Sequence, residues 1–210
     1  DGALNFTPTS SLGGTTYTWT ATSSGPIVGG SFTASGSGAI TDSPENNGNV
    51  DGTVTYVITP RASAGLGLCF GQPRNYVVTV HPVPTADAAD QTICSGQSSS
   101  VSITGSPTSV TGTTFTWTVV MSNVTGASAG SGAVISQALT SADGVTSGTA
   151  TYTITAHANG CDGVVAEVVV VTVNPVPVIT NIATDLQTSI CSDGALNFTP
   201  TSSLGGTTYT

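Results

Sequence analysis

Apolar and polar residues alternate with period two in several short runs of this chain, and no run carries a helical period. In Thr114–Thr118, Phe115 and Trp117 fall on one face while the three threonines fall on the other. Tyr17 and Trp19 alternate with Thr16, Thr18 and Thr20 in the same way. In Thr151–Thr155, Tyr152 and Ile154 alternate with Thr151, Thr153 and Thr155. This is the pattern of half-buried antiparallel strands, apolar toward a core and β-branched polar toward water. Val164–Val173 is more continuously apolar and predicts a last strand, with Glu167 and Thr172 pointing outward. Turn signals separate the runs at Asn47-Gly48, Asp51-Gly52, Gly126, Asp143-Gly144 and Asn159-Gly160. Six or seven short strands per unit predict an all-β fold of tandem immunoglobulin-like Greek-key β-sandwiches. Trp19 and Tyr56 are the candidate core of the first, Trp117 and Tyr152 of the second.

The chain repeats at two levels. Residues 193–210 are identical to residues 1–18, DGALNFTPTSSLGGTTYT, at an offset of 192. Eighteen identical positions make that offset a period, so 1–210 reads as one period plus the start of the next within a longer tandem array. Inside the period lies a weaker repeat of about half that length. Thr16–Thr20 matches Thr114–Thr118, and Gly52–Thr59 matches Gly148–Thr155. Val78–Pro84 matches Val171–Pro177, and Ile93-Cys94-Ser95 matches Ile190-Cys191-Ser192. The expected organisation is a first sandwich over 1–84, with its N-terminal strand and cysteine lying upstream. A second sandwich follows over 85–177, and 178–210 starts the next repeat. His81-Pro82-Val83-Pro84 and Asn174-Pro175-Val176-Pro177 close the two units. Pro82, Pro84, Pro175 and Pro177 favour an extended, stiff linker; each also ends a strand, because proline cannot donate to a ladder.

Composition narrows the function. Only 6% of the 210 residues are charged, the formal charge is −9, and Arg61 and Arg74 are the only basic side chains besides two histidines. A nucleic-acid binder needs clustered Lys and Arg, so nucleic acid is excluded as a partner. The same shortage excludes a basic helix on an anionic membrane, and no segment reaches the roughly 20 apolar residues of a membrane helix. Thr, Ser, Gly and Val make up 114 of the residues. That balance suits an extracellular protein of Thr/Val strands and Gly/Ser turns.

Four cysteines stand at 69, 94, 161 and 191. In repeat register each unit has one near its beginning (Cys94, Cys191) and one before its last strand (Cys69, Cys161). The economical pairing is a disulfide between Cys94 and Cys161, with Cys69 and Cys191 bonded to cysteines outside 1–210. Closing that loop would stabilise the fold by about 4 kcal/mol in the chain-entropy model. The alternative joins Cys69 to Cys94 across the first linker. Disulfides imply an oxidising compartment outside the cell. No C-x-x-C spacing suggests that these cysteines bind metal.

Candidate chemistry is sparse. His81 lies in a linker, with Asn174 in its place in the partner unit, and His157 precedes a turn. No G-x-S-x-G elbow accompanies them, so no catalytic residues and no cofactor are expected. Asp87, Asp90 and Asp185 follow the linkers and are the only candidates for calcium at domain junctions, yet they form no D-x-D-x-D-G loop. Solvated acids on a nearly neutral surface explain them as well. Asn5-Phe6-Thr7 and Asn123-Val124-Thr125 fit the glycosylation pattern, which carries meaning only in a eukaryotic host.

The ordered set T-[FY]-T-W-T, G-x-G-A-[IV] (Gly36–Ile40, Gly130–Val134), G-T-x-T-Y-x-I-T, a cysteine, V-T-V-[HN]-P-V-P and I-C-S resembles the PKD-like domains of giant bacterial surface proteins. Those proteins look like the type IX-secreted adhesins of gliding Bacteroidota. The resemblance implies immunoglobulin-like sandwiches forming the shaft of a cell-surface filament, with no catalytic residues to carry over. The expected role is a non-catalytic stalk repeat, a rigid spacer for attachment or gliding. Its partners would be neighbouring repeats of the same chain and other copies in a filament. Two other readings are a glycan- or protein-binding module acting by avidity and a strand-exchanged filament subunit.

Overall fold

The computed structural model describes residues 2–31, 33–106, 109–181, 189–195 and 197–210. The chain divides into two compact units, Asp1–Ala86 with Gly105–Thr114 and Thr155–Ala166, and Asp87–Thr104 with Phe115–Ile154 and Glu167–Thr210. Among the described residues, every pairing between strands stays within 1–84 or within 85–177.

In the first sandwich the strands are β1 (Thr16–Ser24), β2 (Ile27–Ser31), β3 (Ser35–Ser37), β4 (Ser43–Asn46), β5 (Gly52–Arg61) and β6 (Arg74–Val80). One sheet has the order β3-β1-β5-β6 and is antiparallel throughout. The other layer is the β2–β4 pair with an isolated bridge between Phe6 and Ile40. Strict alternation on β5 buries Val54, Tyr56 and Ile58 against Trp19, Ala21 and Ile40. Phe6 stacks on Tyr76 at 4.1 Å between ring centroids, and Trp19 meets Tyr56 edge-on at 5.5 Å. Offset and edge-on rings add about 0.5–1.5 kcal/mol each beyond their buried area. Thr16, Thr18 and Thr20 point to solvent, as their alternation predicts.

The second sandwich contains β7 (Gln91–Cys94), β8 (Val101–Ser102), β9 (Thr114–Ser122), β10 (Val124–Thr125), β11 (Gly130–Ser131), β12 (Val134–Ile135), β13 (Thr140–Ser141), β14 (Gly148–Ala158), β15 (Cys161–Asp162) and β16 (Glu167–Asn174). Its main sheet runs β11-β9-β14-β16-β7, with β15 folded back onto β14. The pairs β12–β8 and β10–β13 make the facing layer. Phe115, Trp117, Ile135, Leu139, Tyr152, Ile154, Val169 and Val171 fill the core. Where Tyr56 faces Tyr76 in the first sheet, Tyr152 faces Val169, so this core lacks the second tyrosine.

Two expectations shift by a few residues. The last strand starts at Glu167 instead of Val164, because the chain bends out of β15 there and leaves Val164 and Val165 71% and 80% exposed. The second G-x-G-A motif has one extra residue before its core position. Ile135 is fully buried where Ile40 is in the first unit, and Val134 is 46% exposed.

The segment 193–210 shares its sequence with 1–18 and not its structure. Phe198 and Tyr209 are exposed, whereas Phe6 and Tyr17 pack on the first core. Thr16–Thr18 pair with β5 and β3, and Thr208–Thr210 have no strand beside them among the described residues.

Candidate functional site: the cysteines and the proline linkers

The cysteines sit at sheet ends because strand register puts them there. Cys94 is the last residue of β7 and lies opposite Asn174, the last residue of β16. The Ser95 amide donates to the Asn174 carbonyl at 2.7 Å. Cys161 pairs with Ala158 at the far end of β14, whose first residue, Gly148, faces Val173. The ten residue-to-residue steps from Gly148 to Ala158 span about 33 Å at ~3.3 Å per residue. A disulfide needs Cα atoms about 4.4–6.8 Å apart. The expected Cys94–Cys161 bond is therefore corrected: these residues mark opposite ends of one sheet. All four thiols are unbridged, with Cys69, Cys94 and Cys191 exposed and Cys161 half-buried.

In the first unit Cys69 occupies the matching end. Its carbonyl accepts from the Ala62 amide at 2.9 Å, just past Arg61 of β5, while the opposite end of β5 faces Val80. The guanidinium of Arg61 stands 5.2 Å from the ring centroid of the exposed Phe70.

Each linker is fastened at its first residue to the residue just before the long strand. His81 Nδ1 is 2.8 Å from Asp51 Oδ1. At the equivalent place the Ser147 hydroxyl donates to Asn174 Oδ1 at 2.8 Å. Asp51 and Ser147 each precede the first glycine of the long strand, so the departing chain is tied to the same turn in both units. Asn46 adds a bond from its side-chain amide to the Val80 carbonyl at 2.7 Å. Pro82 and Pro84 are fully buried, Pro175 is half-buried and Pro177 is exposed.

The core tyrosines carry a feature missed from sequence. Tyr56 donates to Asp42 Oδ2 at 2.8 Å, and Asp42 also accepts from the amide and hydroxyl of Thr33. Burial first, and the Asp42 carboxyl second, push the Tyr56 phenol well above its ordinary value. Tyr152 donates instead to Gln137 Oε1 at 2.7 Å, and its phenol is raised by burial. Gln137 continues through Ser128, whose carbonyl accepts from Trp117 Nε1 at 3.2 Å. Asp42 and Gln137 each follow a G-x-G-A motif by a few residues, a spacing that gave the only available signal.

The acidic candidates have separate jobs. Asp87 exchanges backbone hydrogen bonds with Thr104, and Asp90 Oδ1 accepts from the Val170 amide at 2.8 Å, tying the entering chain to β16. Asp185 lies outside the described residues. Among the described residues, no three of His, Cys, Asp and Glu gather where a metal could be held. His157 Nδ1 lies 2.6 Å from Asp162 Oδ1, close to the β14–β15 turn. No helix among the described residues is long and apolar enough to cross a membrane.

No curated protein and no solved structure matches the chain. The family model described as PKD-like domain matches it twice, over residues 1–84 and 91–177. Each match encloses one set of paired strands with its Trp–Tyr core and its proline exit, and the chain belongs to the PKD-like domain family.

Proposed function

We propose that this chain is a stretch of the stalk of a giant extracellular adhesin or surface filament, in which each sandwich is a rigid, non-catalytic spacer. The observation that carries the reading is the 18-residue identity at an offset of 192, which brackets two members of one domain family. PKD-like β-sandwiches are typically non-catalytic and commonly extracellular, which supports the same reading. So does the surface, where outward threonines on β1 and β9 give a polar, weakly charged face. The type IX export route and a role in attachment or gliding follow from the likeness to surface adhesins. Denaturing, reducing electrophoresis of the native surface material tests the proposal. A polypeptide of hundreds of kilodaltons is expected; a band near 20.6 kDa would overturn it.

A further inference from the structure

The second sandwich carries one thiol at either end. Cys94 lies at the end where the chain leaves, across from Asn174. Cys161 lies at the end where the chain enters. Parallel pairing sets Gln91 beside Val171, and Asp90 accepts from Val170, so the residues before Asp90 run back toward the start of β16. Pro84 belongs to that entering stretch, and a Cβ placed on Gly163, two residues beyond Cys161, would come 2.8 Å from the Pro84 carbonyl oxygen. Cys69 holds the corresponding end of the first sandwich, past Arg61 and remote from Val80. Cys191 stands in repeat register with Cys94.

We propose that disulfides link consecutive domains, each bond spanning one proline linker. The exit-end cysteine of one domain joins the entry-end cysteine of the next: Cys94 to the copy of Cys69 in the following period, and Cys191 to the following copy of Cys161. Both partners flank the same four residues. Asn174–Pro177 covers about 9 Å in an extended proline conformation, and Cys94 is one strand spacing, ~4.8 Å, from its start. The thiols of Cys69 and Cys94 are exposed. Formation proceeds by exchange with an oxidised dithiol donor. One cysteine thiolate attacks the donor disulfide and releases one donor thiolate. The second cysteine then attacks the mixed disulfide and releases the other. One S–S bond forms, one is reduced, and the two thiol protons pass to the donor. The linker, already short, becomes one side of a closed ring.

The inference rests on the tandem-array reading, and the two fail differently: a small band on the denaturing gel ends the array, whereas free thiols in a long chain end only the cross-link. The test uses two complete periods, residues 1–210 followed by 19–210, in which the first copies of Cys69 and Cys161 and the second copies of Cys94 and Cys191 are changed to serine, so that each remaining cysteine has one proposed partner. The chain is oxidised with glutathione disulfide and digested without reduction. Mass spectrometry should find the Cys94 peptide joined to the Cys69 peptide and the Cys191 peptide joined to the Cys161 peptide. Alkylation of Cys94 and Cys191 as free thiols in the folded chain would overturn the proposal. So would a Cys94 bond that appears only when the first Cys69 is restored. A variant with every cysteine changed to serine, followed by circular dichroism, shows that the sandwiches fold without the bonds. If it retains its β signal, loss of the cross-link cannot be attributed to misfolding.

Discussion

Gly130 lies directly across the sheet from Trp117, and the indole fills the space where a side chain would stand. A Cβ on Gly130 would come 2.8 Å from Trp117 Cζ2. Gly36 faces Trp19 in the same way, with its added Cβ colliding with the same edge of the indole. Gly130→Ala forces the ring off its rotamer or the strands apart, an overpacking cost of about 1–3 kcal/mol. Thermal melts should show that loss. Gly65→Ala, with nothing near the new methyl, should stay within about 0.5 kcal/mol of the parent.

The two core tyrosines should separate on losing their hydroxyls. Tyr56→Phe strips a donor from a buried acid and should cost about 1.5–3 kcal/mol, while Tyr152→Phe removes a neutral bond worth about 0.5–1.5 kcal/mol. Urea unfolding of each variant gives the comparison. Equal losses would mean that Asp42 contributes no more than Gln137.

Tyr56 also predicts an alkaline limit. Its folded phenol is raised above the ordinary value of 10.0, so its contribution is complete below that pH and is lost as pH climbs through the higher folded value. Difference absorbance between the parent and Tyr56→Phe should show this phenol ionising only above the ordinary range. Ionisation at the ordinary value would contradict its burial.

Asp143 sets an acid limit in the loop before β14. Its carboxylate accepts from the Thr146 hydroxyl and from the Thr146 and Val145 amides, the two amide bonds being 2.9 Å. These bonds, the Thr146 hydroxyl first, hold the carboxyl well below the ordinary 3.8. The loop's contribution is thus complete above 3.8 and fades only as pH falls from there through the lower folded value. Amide exchange at Thr146 should stay slow just under 3.8 and become fast in Asp143→Ala at neutral pH.

Among the described residues β6 has no strand on its outer edge, which gives a further expectation. In the second sandwich β7 pairs in parallel with β16, and the matching stretch for β6 is a copy of the residues that end at Cys191. Placing a copy of residues 178–192 ahead of Asp1 should add that strand and raise Tm by several degrees, at about 4–8 °C per kcal/mol for a domain of this size. An unchanged Tm would mean that β6 is a true edge.

Period-two alternation was enough to place Trp19, Tyr56, Trp117 and Tyr152 in two cores, because a strand with one wet face leaves that signature in sequence. The glycines opposite the tryptophans were visible as part of a motif, but their role was not, since it depends on a partner strand. The Cys94–Cys161 pairing failed for a related reason. Repeat register says which cysteines correspond, whereas the end of the sheet each one occupies depends on β7 running parallel to β16. Asp51, Ser147, Asp42 and Gln137 carry no periodicity at all, and only the folded turns bring them to the linkers and the tyrosines.

The parallel pairing of β7 with β16 has a mechanical consequence. The chain arrives along one strand and departs along the one beside it, heading the same way, from Gln91 beside Val171 to Cys94 beside Asn174. Tension along the polypeptide drags these two strands past each other, so the rungs between them take the load together in shear. An antiparallel hairpin in their place would be peeled open one rung at a time at far lower force.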